Sequence, residues 1–158
     1  MARLREWAVA WLTRAFVWTT VRVAPRPPVP PEKRFHVEQD GPRADLTAYL
    51  LFCPGAVPRG DWHVAYLLCF DSGHTIIVDS LIGRCWVHPM PHKPSLERVV
   101  SLLKAEYVVT VRTASAGCMY HDSIGPTTCI TLAKRLLGVH NPGMVTSRQL
   151  LDYLWRRR

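Results

Sequence analysis

Residues 62–70, WHVAYLLCF, and residues 75–81, TIIVDSL, are the stretch of sequence that decides the fold. Both runs are rich in aromatic or β-branched side chains, and the intervening DSGH is typical of a tight turn. Because side chains alternate along a strand, the even-numbered residues of the first run share one face and the odd-numbered residues share the other. The stretch predicts a β-hairpin whose first strand is apolar except for His63 at its beginning.

The register of this hairpin decides where Asp79 lies, and Asp79 is the only ionisable residue in its run. With a loop of residues 72–74, Asp79 shares the face of His63 but lies further along the sheet. With a loop of residues 71–73, Asp79 opposes Ala65 and lies diagonal to His63. A two-residue turn would move Asp79 to the opposite face.

The remaining chain from residue 46 onward predicts an α+β fold, an antiparallel sheet with helices packed against it. Further strands are predicted at 46–53, 84–88 and 107–113. Helices are predicted after Ser95 through about residue 105, from near Cys129 to Gly138, and after the capping-box pattern TSRQ at 146–149.

Charge is concentrated at the two ends of this chain of 158 residues, whose formal net charge is +8. Residues 1–45 contribute +3 (eight basic, five acidic), residues 46–145 contribute +2 (eight, six), and residues 146–158 contribute +3 (four, one). The nearly neutral middle carries no helix-turn-helix, finger or RNA-binding motif, which argues against a specific nucleic-acid partner. We interpret residues 46–158 as one domain.

Residues 1–23 predict an amphipathic helix separate from that domain. Apolar residues recur at spacings of three and four between Leu4 and Phe16, and Arg14 interrupts the run. A bilayer span or a cleaved signal peptide is therefore not expected, and we expect synthesis in the cytoplasm. The helix suits a membrane surface or a protein partner, and packing on the chain's own core is an equal alternative. Residues 24–45 form a proline-rich linker.

Cys129 lies at the predicted beginning of a helix, with Thr127 or Thr128 as its N-cap. The unpaired amides and the partial positive charge of a first helical turn lower the pKa of a thiol, and they can hold a developing oxyanion. A nucleophilic cysteine also needs a base and a group that orients the base. His63 and Asp79 are the candidates, and ordinary strand-end positions are the alternative for both.

Three segments resemble the circularly permuted branch of the NlpC-type papain-like superfamily: DWHVAYL (61–67), IIVDS (76–80) and PTTCITLAKRLLG (126–138). In permuted members the histidine strand precedes the cysteine helix. The similarity is closest to small phage-encoded proteins and covers about residues 46–155.

This resemblance implies a hydrolase or transferase of amides, esters or thioesters that needs no cofactor. It assigns Cys129 as the nucleophile, His63 as the base and Asp79 as the orienting group. Peptide bonds of the bacterial cell wall are the commonest substrates of the superfamily, and lipid-like acyl chains are favoured by some permuted members. A phage origin implies a place in the virion or the host cell envelope.

Two other interpretations remain open. The first is a non-enzymatic structural or adaptor protein on the same fold, such as a virion component, with the N-terminal tryptophans as its functional surface. The second is a zinc site built from two C-x-x-H pairs, Cys85 with His88 and Cys118 with His121. Residues 120–122 are instead candidates to line a cleft.

Overall fold

The computed structural model of the protein describes residues 29–38, 43–54, 62–81, 84–90, 93–114 and 129–158. Several predictions fall on other parts of the chain. The N-terminal helix, the first prolines of the linker, the two candidate N-cap threonines before Cys129, and the Cys118–His121 pair all lie outside the described residues.

A mixed six-stranded sheet with the strand order β1-β6-β2-β3-β4-β5 forms the centre of the fold. The strands are β1 (Arg34–Val37), β2 (Leu46–Cys53), β3 (His63–Phe70), β4 (Thr75–Leu81), β5 (Arg84–Met90) and β6 (Tyr107–Thr113). The predicted α+β class is confirmed. The antiparallel sheet is confirmed for β2–β6, in which every neighbouring pair is antiparallel.

The expected sheet was wrong at its edge, where β1 pairs with β6 in parallel. Residues 34–37 belong to the segment that we interpreted as a linker. Val37 is fully buried in the core, and the ring of Phe35 lies edge-on to Trp155 with 5.2 Å between centroids. Phe35 and Val37 are two residues apart and both point towards the core, as alternate residues of a strand do. A short strand therefore lies within a segment whose sequence pattern is dominated by prolines.

Helices cover both faces of the sheet in the described part of the chain: α1 (Leu96–Leu103), α2 (Thr131–Leu137) and α3 (Ser147–Trp155). On one face, α1 buries Val99 and Val100 against Leu51 and Leu67. On the other face, α2 and α3 pack on a larger cluster that includes Val64, Tyr66, Leu68, Val109, Leu136, Leu150 and Leu154. No helix within the described ranges has the length and apolar character needed to cross a membrane.

The β3–β4 hairpin has a three-residue loop at 71–73. This is the register that places Asp79 opposite Ala65 and diagonal to His63. Tyr66 pairs with Val78, and the ladder continues to Cys69 and Thr75. The N–H of Phe70 donates to the carbonyl oxygen of His74 at 2.9 Å and closes the loop. Gly73 has φ +97°, a conformation that side chains disfavour, which explains glycine at this position.

The two strands of this hairpin separate before they end. Their last pair is Tyr66 with Val78, although β3 begins at His63 and β4 continues to Leu81. Beyond that pair, β3 remains paired with β2 and β4 remains paired with β5. We call the space between β3 and β4 beyond this pair the strand gap.

The strand gap leaves one backbone donor of β3 without its usual strand partner. Phe70 directs its N–H towards β4, and amide directions alternate along a strand, so Tyr66 and Val64 face the same way. The Val64 amide therefore points into the strand gap, where β4 is no longer paired with it.

Candidate active site

His63 and Asp79 meet across the strand gap. Nε2 of His63 is hydrogen-bonded to Oδ1 of Asp79. The side chain of His63 is 9% exposed and that of Asp79 is 28% exposed. The register explains this contact, because a loop of 71–73 places Asp79 diagonal to His63 on the same face of the hairpin.

Cys129 brings its sulfur to the same imidazole. The His63 side chain and the Val64 amide that points into the strand gap lie close enough to the sulfur to stabilise its thiolate form. The hydroxyl of Ser147 lies 3.7 Å from the sulfur. Because Nε2 of His63 is engaged by Asp79, Nδ1 is the ring nitrogen left to serve the thiol.

The cysteine reaches the histidine from the opposite face of the sheet. Cys129 packs with the cluster of Val64 and Tyr66, whereas His63 alternates with these residues along β3. The two side chains meet beyond the last β3–β4 pair, where β4 no longer lies against β3. Separation of the strands is therefore the feature of the fold that allows their contact.

The helix after Cys129 begins later than we expected. Its first residue is Thr131 and its N-cap is Ile130, whose carbonyl oxygen accepts the first helical hydrogen bond from Lys134 at 3.1 Å. Cys129 therefore lies in the turn just before α2 and not within its first helical turn. The groups around its sulfur, which are His63, the Val64 amide and Ser147, account for the lowered pKa of the thiol, and a position inside the helix does not.

Tyr66 fixes this turn to the strand that carries His63. Its buried hydroxyl donates to the carbonyl oxygen of Cys129 and accepts from the N–H of Ala133 at 3.1 Å. One side chain of β3 thereby holds both the residue that carries the thiol and the first turn of α2. The Ala133 amide is consequently occupied by Tyr66, which removes it from the amides that we expected to hold an oxyanion.

The electrostatics of the site favour a charged pair of sulfur and imidazole. Burial lowers the pKa of His63, but hydrogen bonds to Asp79 and Cys129 outweigh it and raise the pKa from 6.5 to about 9. Burial raises the pKa of Cys129, but hydrogen bonds from His63, the Val64 amide and Ser147 outweigh it and bring the pKa below 9.0. Each group stabilises the charged form of the other. Compared with an isolated thiol and imidazole, the pair is therefore shifted towards thiolate and imidazolium.

Comparison with known proteins identifies no relative from which the chemistry of this site could be inferred. The chain matches no protein-family model, no curated protein and no solved structure.

The alternative of a zinc site finds no candidate among the described residues, which contain no group of three or more His, Cys, Asp or Glu side chains placed to hold a metal ion. Positions 85 and 88 lie in β5, opposite Ser80 and Ile77. The other C-x-x-H pair lies outside the described residues. Within the described ranges, Cys53, Cys69 and Cys129 form no disulfide.

Sequence analysis missed Ser147, which is fully buried beside the sulfur. We had assigned its segment to helix capping, and that prediction is confirmed because Thr146 and Gln149 form a capping box. A signal was nevertheless present in the sequence. Ser147 precedes Leu150, Leu151 and Leu154 by three, four and seven residues, so it is a polar residue on the apolar stripe of α3.

Proposed function

We propose that the protein is a cysteine hydrolase of the peptidase or amidase type, in which Cys129 is the nucleophile, His63 the general base and acid, and Asp79 the group that orients His63. One observation carries this proposal: a single imidazole is hydrogen-bonded to the Asp79 carboxylate and also interacts with the Cys129 sulfur. A base held by a third group and directed at a thiol is the arrangement that nucleophilic catalysis requires.

The reaction follows from the protonation states of the pair. The Cys129 thiolate attacks the substrate carbonyl carbon and forms a carbon–sulfur bond, and the carbonyl electrons move to oxygen. When the intermediate collapses, the bond to the leaving group breaks and the His63 imidazolium gives that group its proton. Water then attacks the thioester while neutral His63 takes a proton from it. Release of the acid restores the thiolate and the imidazolium.

The proposed fold is a circularly permuted papain-like arrangement. In support, the chain presents the histidine strand β3 first, the aspartate strand β4 second and the Cys129 turn last. The resemblance to NlpC-type proteins extends the proposal to peptide bonds of the bacterial cell wall as substrate, and to a phage protein of the virion or host cell envelope. In that setting the predicted N-terminal helix would hold the domain at a membrane surface or on a protein partner.

An activated ester tests the proposal. With p-nitrophenyl acetate, we expect a burst of p-nitrophenolate close to one equivalent and an acetyl group on Cys129 in peptide mass spectrometry. Cys129→Ser should abolish the burst, and His63→Ala should slow acylation by roughly 100-fold, a typical contribution of a positioned base. Cys69→Ser is the matched control, because Cys69 is a buried thiol at the opposite end of β3.

Two outcomes would overturn the enzyme proposal in favour of a structural or adaptor protein. One is acylation of Cys129 at the same rate with and without His63. The other is a burst that survives in Cys129→Ser.

A further inference from the structure

Trp62 and Arg148 lie next to the residues that contact the Cys129 sulfur. Trp62 immediately precedes His63, and Arg148 immediately follows Ser147. The guanidinium carbon of Arg148 lies 5.6 Å from the ring centroid of Trp62. The two segments that meet at Cys129 therefore also contact each other through Trp62 and Arg148, with the guanidinium over the indole.

The indole of Trp62 is also held in place by an aromatic neighbour. Trp62 stacks on Tyr107 with 5.6 Å between ring centroids and 31° between ring planes, and it packs against the main core. Tyr107 in turn meets the ring of Trp155 edge-on at 6.5 Å. A guanidinium over a fixed aromatic face is positioned by that face, and the N–H groups at its edge stay directed at a ligand or solvent.

Arg148 differs from the cations that the fold uses for its own ion pairs. Lys33 and Arg112 form salt bridges with Glu106 and Asp71, at 2.9 and 2.8 Å. Arg148 is exposed, and within the described ranges it has no ion pair. Among the described residues, the Arg148 charge therefore has no carboxylate partner, and Arg148 directly follows Ser147, whose hydroxyl lies 3.7 Å from the Cys129 sulfur.

We infer that Arg148, held against Trp62, forms a subsite that binds a carboxylate of the substrate close to the carbonyl that Cys129 attacks. This inference rests on the proposed function and specifies its substrate class, which is acyl compounds that carry a carboxylate near the scissile bond. Acidic side chains and free carboxyl termini supply such groups in peptides. The Arg148 guanidinium matches a carboxylate with two parallel N–H donors.

Two alkylating reagents that differ in charge test the subsite on the full chain. Iodoacetate carries a carboxylate and iodoacetamide is its neutral analogue, and the rate at Cys129 is measured for each by peptide mass spectrometry. In Arg148→Gln we expect the ratio of the iodoacetate rate to the iodoacetamide rate to fall roughly three- to tenfold, as loss of one nearby charge implies. Arg148→Lys should restore part of the ratio.

The matched control is Arg135→Gln, which removes one exposed charge from the outer surface of α2. It should leave the ratio unchanged, because it alters the net charge equally but not the charge beside Trp62. The Gln side chain at position 148 is acceptable near a helix N-terminus, where a cation is not favoured, so folding is expected to be preserved.

An unchanged ratio in Arg148→Gln, or an equal fall in Arg135→Gln, would overturn the subsite. The ratio can be measured for a slow thiol as well as a fast one. Failure of the proposed function would appear separately, as an iodoacetamide rate at Cys129 that does not depend on His63.

Discussion

The polar groups at the two ends of the β3–β4 hairpin differ in their exposure to solvent. At the closed end, the loop of residues 71–73 completes the ladder, and its ion pair of Asp71 with Arg112 lies exposed on the surface. At the open end, the strands separate, and His63, Asp79 and Cys129 form a partly buried network. The same two strands therefore carry an ordinary surface and a candidate active site.

The cysteines near these ends show what the difference means chemically. Cys69 lies at the closed end, in a complete ladder beside an open surface cavity of about 290 Å³ that Lys93 also lines. Cys129 lies at the open end, where a freed backbone amide, a histidine and a serine all reach its sulfur. Hydrogen bonds to the charged form of a thiol activate it.

The largest expected effect is on the reactivity of the Cys129 thiol when His63 is replaced by alanine. In the native protein, alkylation of Cys129 by iodoacetamide should begin to rise at a pH below the ordinary thiol value of 9.0, because His63 stabilises the thiolate. In His63→Ala the midpoint should return towards 9.0, and the rate at pH 7 should fall roughly 10- to 100-fold. Peptide-resolved mass spectrometry across pH 5–10 measures both quantities.

Cys69 is the internal reference for that experiment, since it is only 9% exposed and lies away from His63. Its alkylation should be slow and equal in both proteins. If the pH profile of Cys129 alkylation is unchanged in His63→Ala, the histidine is not the cause of the difference in reactivity between Cys129 and Cys69.

A smaller effect is expected on stability in Asp79→Asn. The folded pKa of His63, about 9, is above its ordinary value of 6.5, so its stabilisation is complete below about pH 6.5 and disappears as the pH rises through 9. Asp79 contributes part of this raised pKa. We expect Asp79→Asn to lower the free energy of unfolding by about 1–3 kcal/mol at pH 6, and by much less at pH 9.5.

Urea denaturation of both proteins at the two pH values checks this expectation. Equal destabilisation at pH 6 and pH 9.5 would indicate that Asp79 stabilises the fold through packing and not through its interaction with protonated His63.

The parts of the molecule that sequence analysis predicted depend on local pattern. The β3–β4 strands follow from alternation, the loop from its glycine, and the start of α3 from the reciprocal bonds of Thr146 and Gln149. The site residues Cys129, His63 and Asp79 were selected by chemistry and by register, which the hairpin loop restricts to a few values.

The parts that were missed depend on which elements become neighbours. Residues 34–37 form a strand because they pair with the edge of β6, and no feature of their own sequence predicts that pairing. Beyond Val78, β4 remains paired with β5 and not with β3, so the availability of the Val64 amide to Cys129 was not predictable from either strand alone. The contact of Ser147 with Cys129 likewise requires the docking of α3 beside α2.

The smallest effect is expected at the closed end, in Asp71→Asn. Arg112 donates to both carboxylate oxygens of Asp71 at 2.8 and 2.9 Å, and it also donates to the Ala44 carbonyl oxygen at 2.9 Å. Exposed ion pairs contribute little, and the remaining hydrogen bonds to the Ala44 carbonyl and the Thr47 hydroxyl keep the guanidinium in place, so we expect the midpoint of thermal denaturation to change by less than about 2 °C. Circular dichroism measures that midpoint.

Cys129 alkylation in Asp71→Asn completes the comparison of the two ends. Because four continuous β3–β4 pairs lie between the loop and the strand gap, the rate should equal that of the native protein. A fall comparable to that in His63→Ala would show that a charge at the loop controls the spacing of the strands at the gap. The two ends would then act as one unit, and the thiol's reactivity would depend on the whole hairpin instead of the hydrogen bonds around the sulfur.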